Sequence, residues 1–139
     1  LYEFQFKIYS SPEYIEKYGI PKDVSELSKH KIVAFGHDVE PSIPDVNCII
    51  DLLPKKKKVK ILYISNMYGV MRAIGGGAGI GALPEYMKIS SNNLVPILPD
   101  AKTPKAVIYF TYPSELKGSK KIAALRDFLV RETNKEKQR

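Results

Sequence analysis

The chain has no tryptophan, one cysteine and two histidines among its 139 residues. A lone Cys48 excludes an internal disulfide and suits a reducing compartment. It lies in the run Asn47-Cys-Ile-Ile50 with no histidine within ten residues on either side, so it reads as a small buried hydrophobe rather than a nucleophile. His30 sits among Ser28, Lys29 and Lys31, and His37 precedes Asp38 in a loop; neither belongs to a metal-ligand spacing, and both read as exposed loop histidines. No apolar run approaches the roughly 20 residues needed to cross a bilayer. The opening Leu-Tyr-Glu-Phe-Gln-Phe-Lys has no basic segment followed by an apolar one, so no signal peptide is expected. It also starts without methionine, as a chain cut from something longer would. There is no G-x-S-x-G elbow, no phosphate-loop glycine-lysine motif, and no pair of carboxylates that spacing alone brings together. No catalytic residue, metal site or cofactor is expected.

What is present is the make-up of a globular protein able to bury a core: 44% hydrophobic and 27% charged residues, enough for one domain or a large piece of one. The net charge of +7 comes from 22 basic against 15 acidic residues. The basic residues are nearly all lysine and are scattered, apart from Lys55-Lys-Lys-Lys58 and Lys60. A phosphate-binding surface clusters arginine and lysine with aromatics on one face. This run instead follows Pro54 between two strand-like segments, and a solvated turn is expected there.

In chain order, Tyr2 to Tyr9 alternates apolar and polar residues as a half-buried strand does. Ser11 can cap a helix whose first residue is Pro12, or Ser10 and Glu13 can form a capping box; Gly19 and Pro21 end that helix. Asp23 caps a second short helix. Lys31 to Phe35 is a short buried strand opening into the loop Gly36 to Pro41. The stretch from Pro41 to Pro54 reads poorly, with Cys48 to Leu53 a possible strand. Pro84 begins a helical turn, Asn92-Asn93 is a turn, and Leu94 to Leu98 is an edge strand. Ala106 to Tyr112 is the strongest strand signal in the chain, almost wholly β-branched or aromatic. Ser119 caps a last helix carrying Ile122, Leu125, Phe128 and Leu129 on one face, with a charged, frayed tail from Glu132. Alternating strands and helices predict an α/β fold with a mostly parallel or mixed sheet.

The organising stretch is Val59 to Pro84. An apolar strand meets Ser65 and Asn66, both suited to helix N-caps. Val70, Met71 and Ile74 recur at helical spacing, and Gly75, Gly76 and Gly77 supply a helix stop. Gly77-Ala-Gly-Ile-Gly-Ala82 fits the G-x-G-x-x-A dinucleotide form, but that site needs a strand before the glycines and a long helix after them. Here the helix precedes them and Pro84 follows within two residues, so no nucleotide is expected. Ligands of open α/β sheets lie outside the carboxyl ends of strands, often on helix N-termini. Ser65 and Asn66 stand at such a place, where capping and contact with a small anion or carboxylate are compatible roles.

Ala73-Ile-Gly-Gly-Gly-Ala-Gly-Ile-Gly-Ala-Leu-Pro84 resembles the A-V-x-x-G-x-G-I-x-x-L-P segment of the effector-binding domain of LysR-type transcriptional regulators. Ile8-Tyr-Ser-Ser-Pro-Glu-Tyr-Ile…Tyr-Gly-Ile-Pro-Lys-Asp-Val-Ser-Glu-Leu27, Leu94-Val-Pro-Ile-Leu-Pro99 and Ser119…Leu125-Arg-Asp-Phe-Leu129 are similar to its flanking motifs. The likeness runs from about residue 6 to residue 131, in the family's order and spacing. It implies a type II periplasmic-binding-protein-like fold of two α/β lobes with an effector cleft between them, in a cytoplasmic dimer or higher oligomer. Residues 6–105 would form the second lobe, 106–131 a crossover strand and last helix toward lobe one, and 132–139 a frayed tail. The first half of lobe one is absent, so the chain is a fragment or its exposed faces are covered by another chain. DNA would be bound only through a helix-turn-helix that this chain does not contain. The cleft-facing candidates carried over are Ser65, Asn66, Met67, Phe35 and Gly36, with Ser10 at the end of the first strand. The implied partner is a small-molecule effector, in this family often a carboxylate or inorganic anion; no membrane partner and no enzyme activity are implied. The alternative is a fragment of a solute-binding or transport-associated protein of the same fold.

Overall fold

A computed structural model describes residues 1–36, 43–90 and 93–137. His37, Asp38, the loop to Pro41 and the Asn92 half of the Asn92-Asn93 turn lie outside the described residues. Two compact units are present: Phe4–Ala106, and Leu1–Glu3 together with Val107–Arg139.

The first unit is built on strand β1 (Tyr2–Ser10), which is flanked by β4 (Gly81–Pro84) and β5 (Val95–Ile97), both antiparallel to it. Its alternation shows in the burial of Phe4, Phe6 and Ile8. Near its end Tyr9 and Ser10 are buried as well, Tyr9 packing into the core with Val70 and Met71. β1 runs into helix α1 (Pro12–Tyr18), for which the structure selects Ser11 as cap: its Oγ accepts the Tyr14 amide at 3.1 Å. Gly19, at φ 79, ends the helix in the left-handed region that glycine enters without penalty. Asp23 caps a single 3₁₀ stretch, Val24–Lys29, that leads to β2 (Lys31–Phe35).

β2 pairs in parallel with β3 (Lys60–Ile64), residue Lys31 opposite Lys60 through Phe35 opposite Ile64. A parallel pair needs a crossover, and the described part of it holds α2 (Cys48–Leu52). This corrects the expected strand at Cys48–Leu53. Val46, Cys48 and Ile49 are all buried while Asp51 faces out, a pattern that strand alternation cannot make but one helical turn can. Periodicity does not separate the two for so short an apolar run. Burial pushes the Cys48 thiol up to about 12, so it is inert at neutral pH. Lys55 to Lys58 form the exposed turn expected of them.

Helix α3 (Met67–Gly75) buries Val70, Met71 and Ile74 against Tyr9, Val33, Leu83 and Leu94, each burial contributing roughly 1.5–3 kcal/mol. Its end is a Schellman motif: the Gly77 amide donates to the Ile74 carbonyl at 3.1 Å and the Ala78 amide to the Ala73 carbonyl at 3.0 Å, with Gly77 at φ 84. The chain then threads against β2. The Ile80 amide donates to the Lys31 carbonyl at 2.9 Å, and the Val33 amide to the Ile80 carbonyl at 2.8 Å. Ile80 thus bridges β2 in parallel before β4 turns to pair with β1. The order β3, β2, Ile80–β4, β1, β5 is a mixed sheet, as the alternation of elements predicts. Pro84 closes β4 rather than opening the next helical turn, which starts at Glu85.

His30 is not the exposed loop residue expected of it. The Lys31 amide donates to the hydroxyl of buried Tyr14 at 3.0 Å, and that hydroxyl lies 3.0 Å from His30 Nδ1. With the oxygen already accepting one proton, the hydroxyl is free to donate its own to the neutral ring. Burial lowers the His30 pKa below its ordinary 6.5, with Glu26 opposing and Lys29 reinforcing the shift.

Strand β6 (Lys105–Ile108) runs from the first unit into the second and stops four residues before Tyr112, the expected end of the strand. A 3₁₀ turn, Ser114–Leu116, leads to α4 (Lys120–Lys137). The helix runs past Glu132, where the charged tail begins, to Lys137; the Thr133 hydroxyl donates to the Leu129 carbonyl at 2.9 Å and Lys135 pairs with Glu132 at 2.8 Å.

Two outcomes are expected. A Cβ at Gly79 would lie 2.4 Å from the Lys31 carbonyl oxygen, whereas one at Gly118 meets nothing within 4 Å. In urea titrations Gly79→Ala should therefore lose about 1–3 kcal/mol or more, and Gly118→Ala should change stability by less than about 0.5 kcal/mol. For His30, the depressed folded pKa means that the unfolded chain binds the extra proton first. The His30 contribution is thus complete above pH 6.5 and is lost as pH falls through the folded pKa. The unfolding midpoint of His30→Gln should accordingly depend less on pH in that window than that of the wild type.

Candidate functional site

The parallel pairing of β2 and β3 ends both strands on one edge of the sheet, and this edge holds five of the six candidate residues. The Gly36 amide donates to the Ile64 carbonyl at 2.9 Å, extending the pairing by one step. A Cβ on Gly36 would come within 3.5 Å of Ser65 Cα, so the two strand ends touch through backbone. Ser65 is exposed and leads into Asn66, which is the N-cap of α3. Asn66 is extended at φ −147, ψ 149, and its Oδ1 accepts the Gly69 amide at 2.7 Å while its carbonyl accepts the Val70 amide at 3.1 Å. By helix geometry the amides of Met67 and Tyr68 have no acceptor within the helix, and the peptide dipoles leave partial positive charge there.

The six candidates do not contribute alike. Ser65 and Asn66 are exposed and Met67 is half-buried, packing its side chain on the α3 core. Phe35 is only 8% exposed, so it offers this edge its backbone more than its ring. Ser10 does not join the others. Tyr9 is opposite Gly81 and Ile32 is opposite Ile80, so Ser10 lies level with the start of β2. That is about 10 Å along the strand direction from Phe35 at 3.3 Å per residue. The cause is the antiparallel setting of β1, whose carboxyl end points away from those of β2 and β3. Ser10 is fully buried and its Oγ has no hydrogen-bond partner, the behaviour of a small core residue.

Three residues that shape this edge escaped the sequence reading. Asn47 clamps Phe35 from both sides of its peptide, its Oδ1 accepting the Phe35 amide and its Nδ2 donating to the Phe35 carbonyl, each at 2.9 Å. It acts as a one-residue strand partner. Gly69 lets the first turn of α3 sit on the end of β3, since a Cβ there would lie 2.7 Å from Ile64 Cγ2. Glycine in the first turn of an otherwise good helix was the available signal. Tyr68 projects from the same turn with 64% of its surface exposed. A separate groove of about 620 Å³, lined by Ile20, Pro21, Leu98 and Pro99 among others, includes none of the candidates. Among the described residues no acidic, histidine or cysteine cluster could hold a metal ion, and no helix is long and apolar enough to cross a membrane.

A mixed α/β sheet with an open edge of strand ends and a capped helix start is a setting in which open α/β folds place small ligands. Comparison with known proteins bears on the fold. No protein-family model matches the chain. The transcriptional regulator CrgA of Neisseria meningitidis is 25% identical over 137 residues, covering 95% of this chain and 45% of its own. The chain thus spans less than half the length of that relative. The solved regulatory domain of CrgA, a LysR-type regulator, superposes with a TM-score of 0.66 at 24% identity over 96% of this chain and 67% of that one. The regulatory domain of AphB from Vibrio vulnificus superposes with a TM-score of 0.62 at 20% identity, over 94% and 65%. The fold is that of LysR-type regulatory domains, and the resemblance carried by the motifs holds over nearly the whole chain.

The cap is open to a direct check. Asn66→Ala should destabilise the chain by about 1 kcal/mol, while Asn66→Ser, which keeps an acceptor, should lose a few tenths at most. Equal losses in a denaturant titration would mean that the side-chain cap does not hold the helix start.

Proposed function

We propose that the chain is the effector-sensing part of a LysR-type transcription regulator, and that the edge formed by Phe35, Gly36, Ser65, Asn66 and Met67 is the wall its second lobe contributes to the effector cleft. The observation that carries this reading is the start of α3. Exposed Ser65, the unspent amide group of Asn66 and two amides without helical acceptors converge where two parallel strands end. Such a site suits a carboxylate or small inorganic anion, because donors and the helix dipole act on the same negative charge. The role proposed for this edge is binding without catalysis. In this reading residues 6–105 are the second lobe, and 106–131 lead toward lobe one.

The parent protein would act as a cytoplasmic dimer or higher oligomer and would contact DNA through a helix-turn-helix outside this chain. The effector would work by binding two arrangements of the regulator with different affinity, the only way a ligand shifts an equilibrium.

The test uses Ser65→Ala with Asn66→Ser in the full-length regulator, a pair that removes ligand donors while keeping the cap. The effector concentration for half-maximal response should rise by about tenfold or more, the effect of losing one or two hydrogen bonds, while DNA affinity without effector stays within about twofold. An unchanged effector midpoint, measured by gel shift or reporter assay, would remove these residues from the site.

A further inference from the structure

The groove of about 620 Å³ that lies apart from the strand-end edge has no task in the reading above. Its size falls within the range of about 300–1,000 Å³ usual for small-molecule sites. Its apolar surface comes from three places in the first unit: Ile20, Pro21 and Val24 after α1, Leu52 at the end of α2, and Leu98 and Pro99 after β5. Ile20 keeps 54% of its surface exposed, so the groove still has apolar area for an occupant to cover.

Its walls are formed in advance. On one side the Lys22 amide donates to Glu26 Oε2 and the Ser25 amide to Asp23 Oδ1, each at 2.8 Å. On the other the Ala101 amide donates to the Leu98 carbonyl at 3.0 Å, and Leu98 is held at φ 50. A leucine in the left-handed region is strained, and such strain persists only where the surroundings enforce it, commonly at ligand clamps. Preformed walls reduce the ordering that binding costs.

The charges lining the groove select among occupants. Lys22, Asp100 and Lys102 all line it, and none of the three has an ion-pair partner among the described residues. Asp23, by contrast, is spent on the amide and hydroxyl of Ser25. A ligand with a carboxylate alone would meet Asp100 as a like charge, and one with an amine alone would meet two lysines. A zwitterion can set each of its charges against an opposite one.

We propose that this groove binds a free amino acid with an apolar side chain, the side chain covering Ile20, Val24 and Leu98, the ammonium facing Asp100 and the carboxylate facing Lys22 or Lys102. The claim concerns this groove alone, so it stands or falls separately from effector binding at Ser65 and Asn66.

Backbone amide resonances of the isotope-labelled 139-residue chain, titrated with L-leucine and L-phenylalanine, provide the test. At least one of the two should give saturable shifts centred on Val24, Leu98 and Ala101, half-complete at about 1 mM or below, with the amides of Gly36 and Ser65 unmoved. Analogues of the better binder that lack the amino or the carboxylate group should each need about two- to fivefold more ligand, the effect of losing an exposed ion pair. Asp100→Asn should weaken the amino acid by a similar factor and leave the analogue without the amino group unchanged. Ile20→Asp, a change at an exposed position, should raise half-saturation by about tenfold or more because it sets a charge against the apolar side chain; unmoved amides of Val33 and Ile80 would show that the first unit is still folded. No saturable shift with either amino acid would overturn the proposal. So would shifts centred on Gly36 and Ser65, which would give the amino acid to the strand-end edge, or an analogue without the amino group that binds as tightly as its parent, which would make the groove a site for apolar acids.

Discussion

The architecture of the first unit depends on the close approach of the Gly79–Gly81 backbone to β2. The two hydrogen bonds of Ile80 to Lys31 and Val33 can form only because neither neighbour of Ile80 carries a side chain. A Cβ on Gly81 would lie 2.8 Å from the Val33 carbonyl oxygen and 2.5 Å from Ile74 Cδ1. Those bonds join the parallel pair β2–β3 to the antiparallel group β4–β1–β5 and so make one sheet out of two. They also fix where α3 must end, because only a left-handed step at Gly77 returns the chain to β2 so soon after the helix. The glycines that resemble a phosphate cradle are instead filled by protein backbone.

From this constraint the candidate site follows. With its carboxyl end held by the Schellman turn and its middle packed on Tyr9, Val33 and Leu83, α3 has its amino end set beside Phe35 and Gly36. Asn47 then fixes Phe35, and Asn66 fixes the first turn of the helix. The edge presents strand-end backbone and the short side chains of Ser65 and Asn66, with Tyr68 projecting from the same helical turn.

Much of this was legible in the residues. Lys31–Phe35 was expected and found with the same bounds, because the four consecutive apolar residues Ile32 to Phe35 between polar turns leave few alternatives. The Ser11 cap, the Gly19 stop and the buried face Val70, Met71 and Ile74 were readable for the same reason: their signals are local. Misreadings arose where the deciding partner is distant. Cys48–Leu52 became a helix because the crossover between β2 and β3 places it against the sheet. Tyr109–Tyr112 failed to become strand because propensity needs a neighbour to pair with. Ser10 was grouped with the site because chain order does not reveal that β1 runs against β2. His30 was misjudged because its partner, Tyr14, is on another element.

The central claim is that a small anionic effector binds at the strand ends before α3. The most direct measurement is a titration of the isotope-labelled chain with a panel of small carboxylates and inorganic anions, following backbone amide resonances. The account predicts saturable shifts centred on Gly36 and on Ser65 to Tyr68 for at least one member of the panel, with the Ser10 amide unmoved. Saturable shifts centred instead on the Ile20–Leu98 groove, with the α3 start silent, would contradict it.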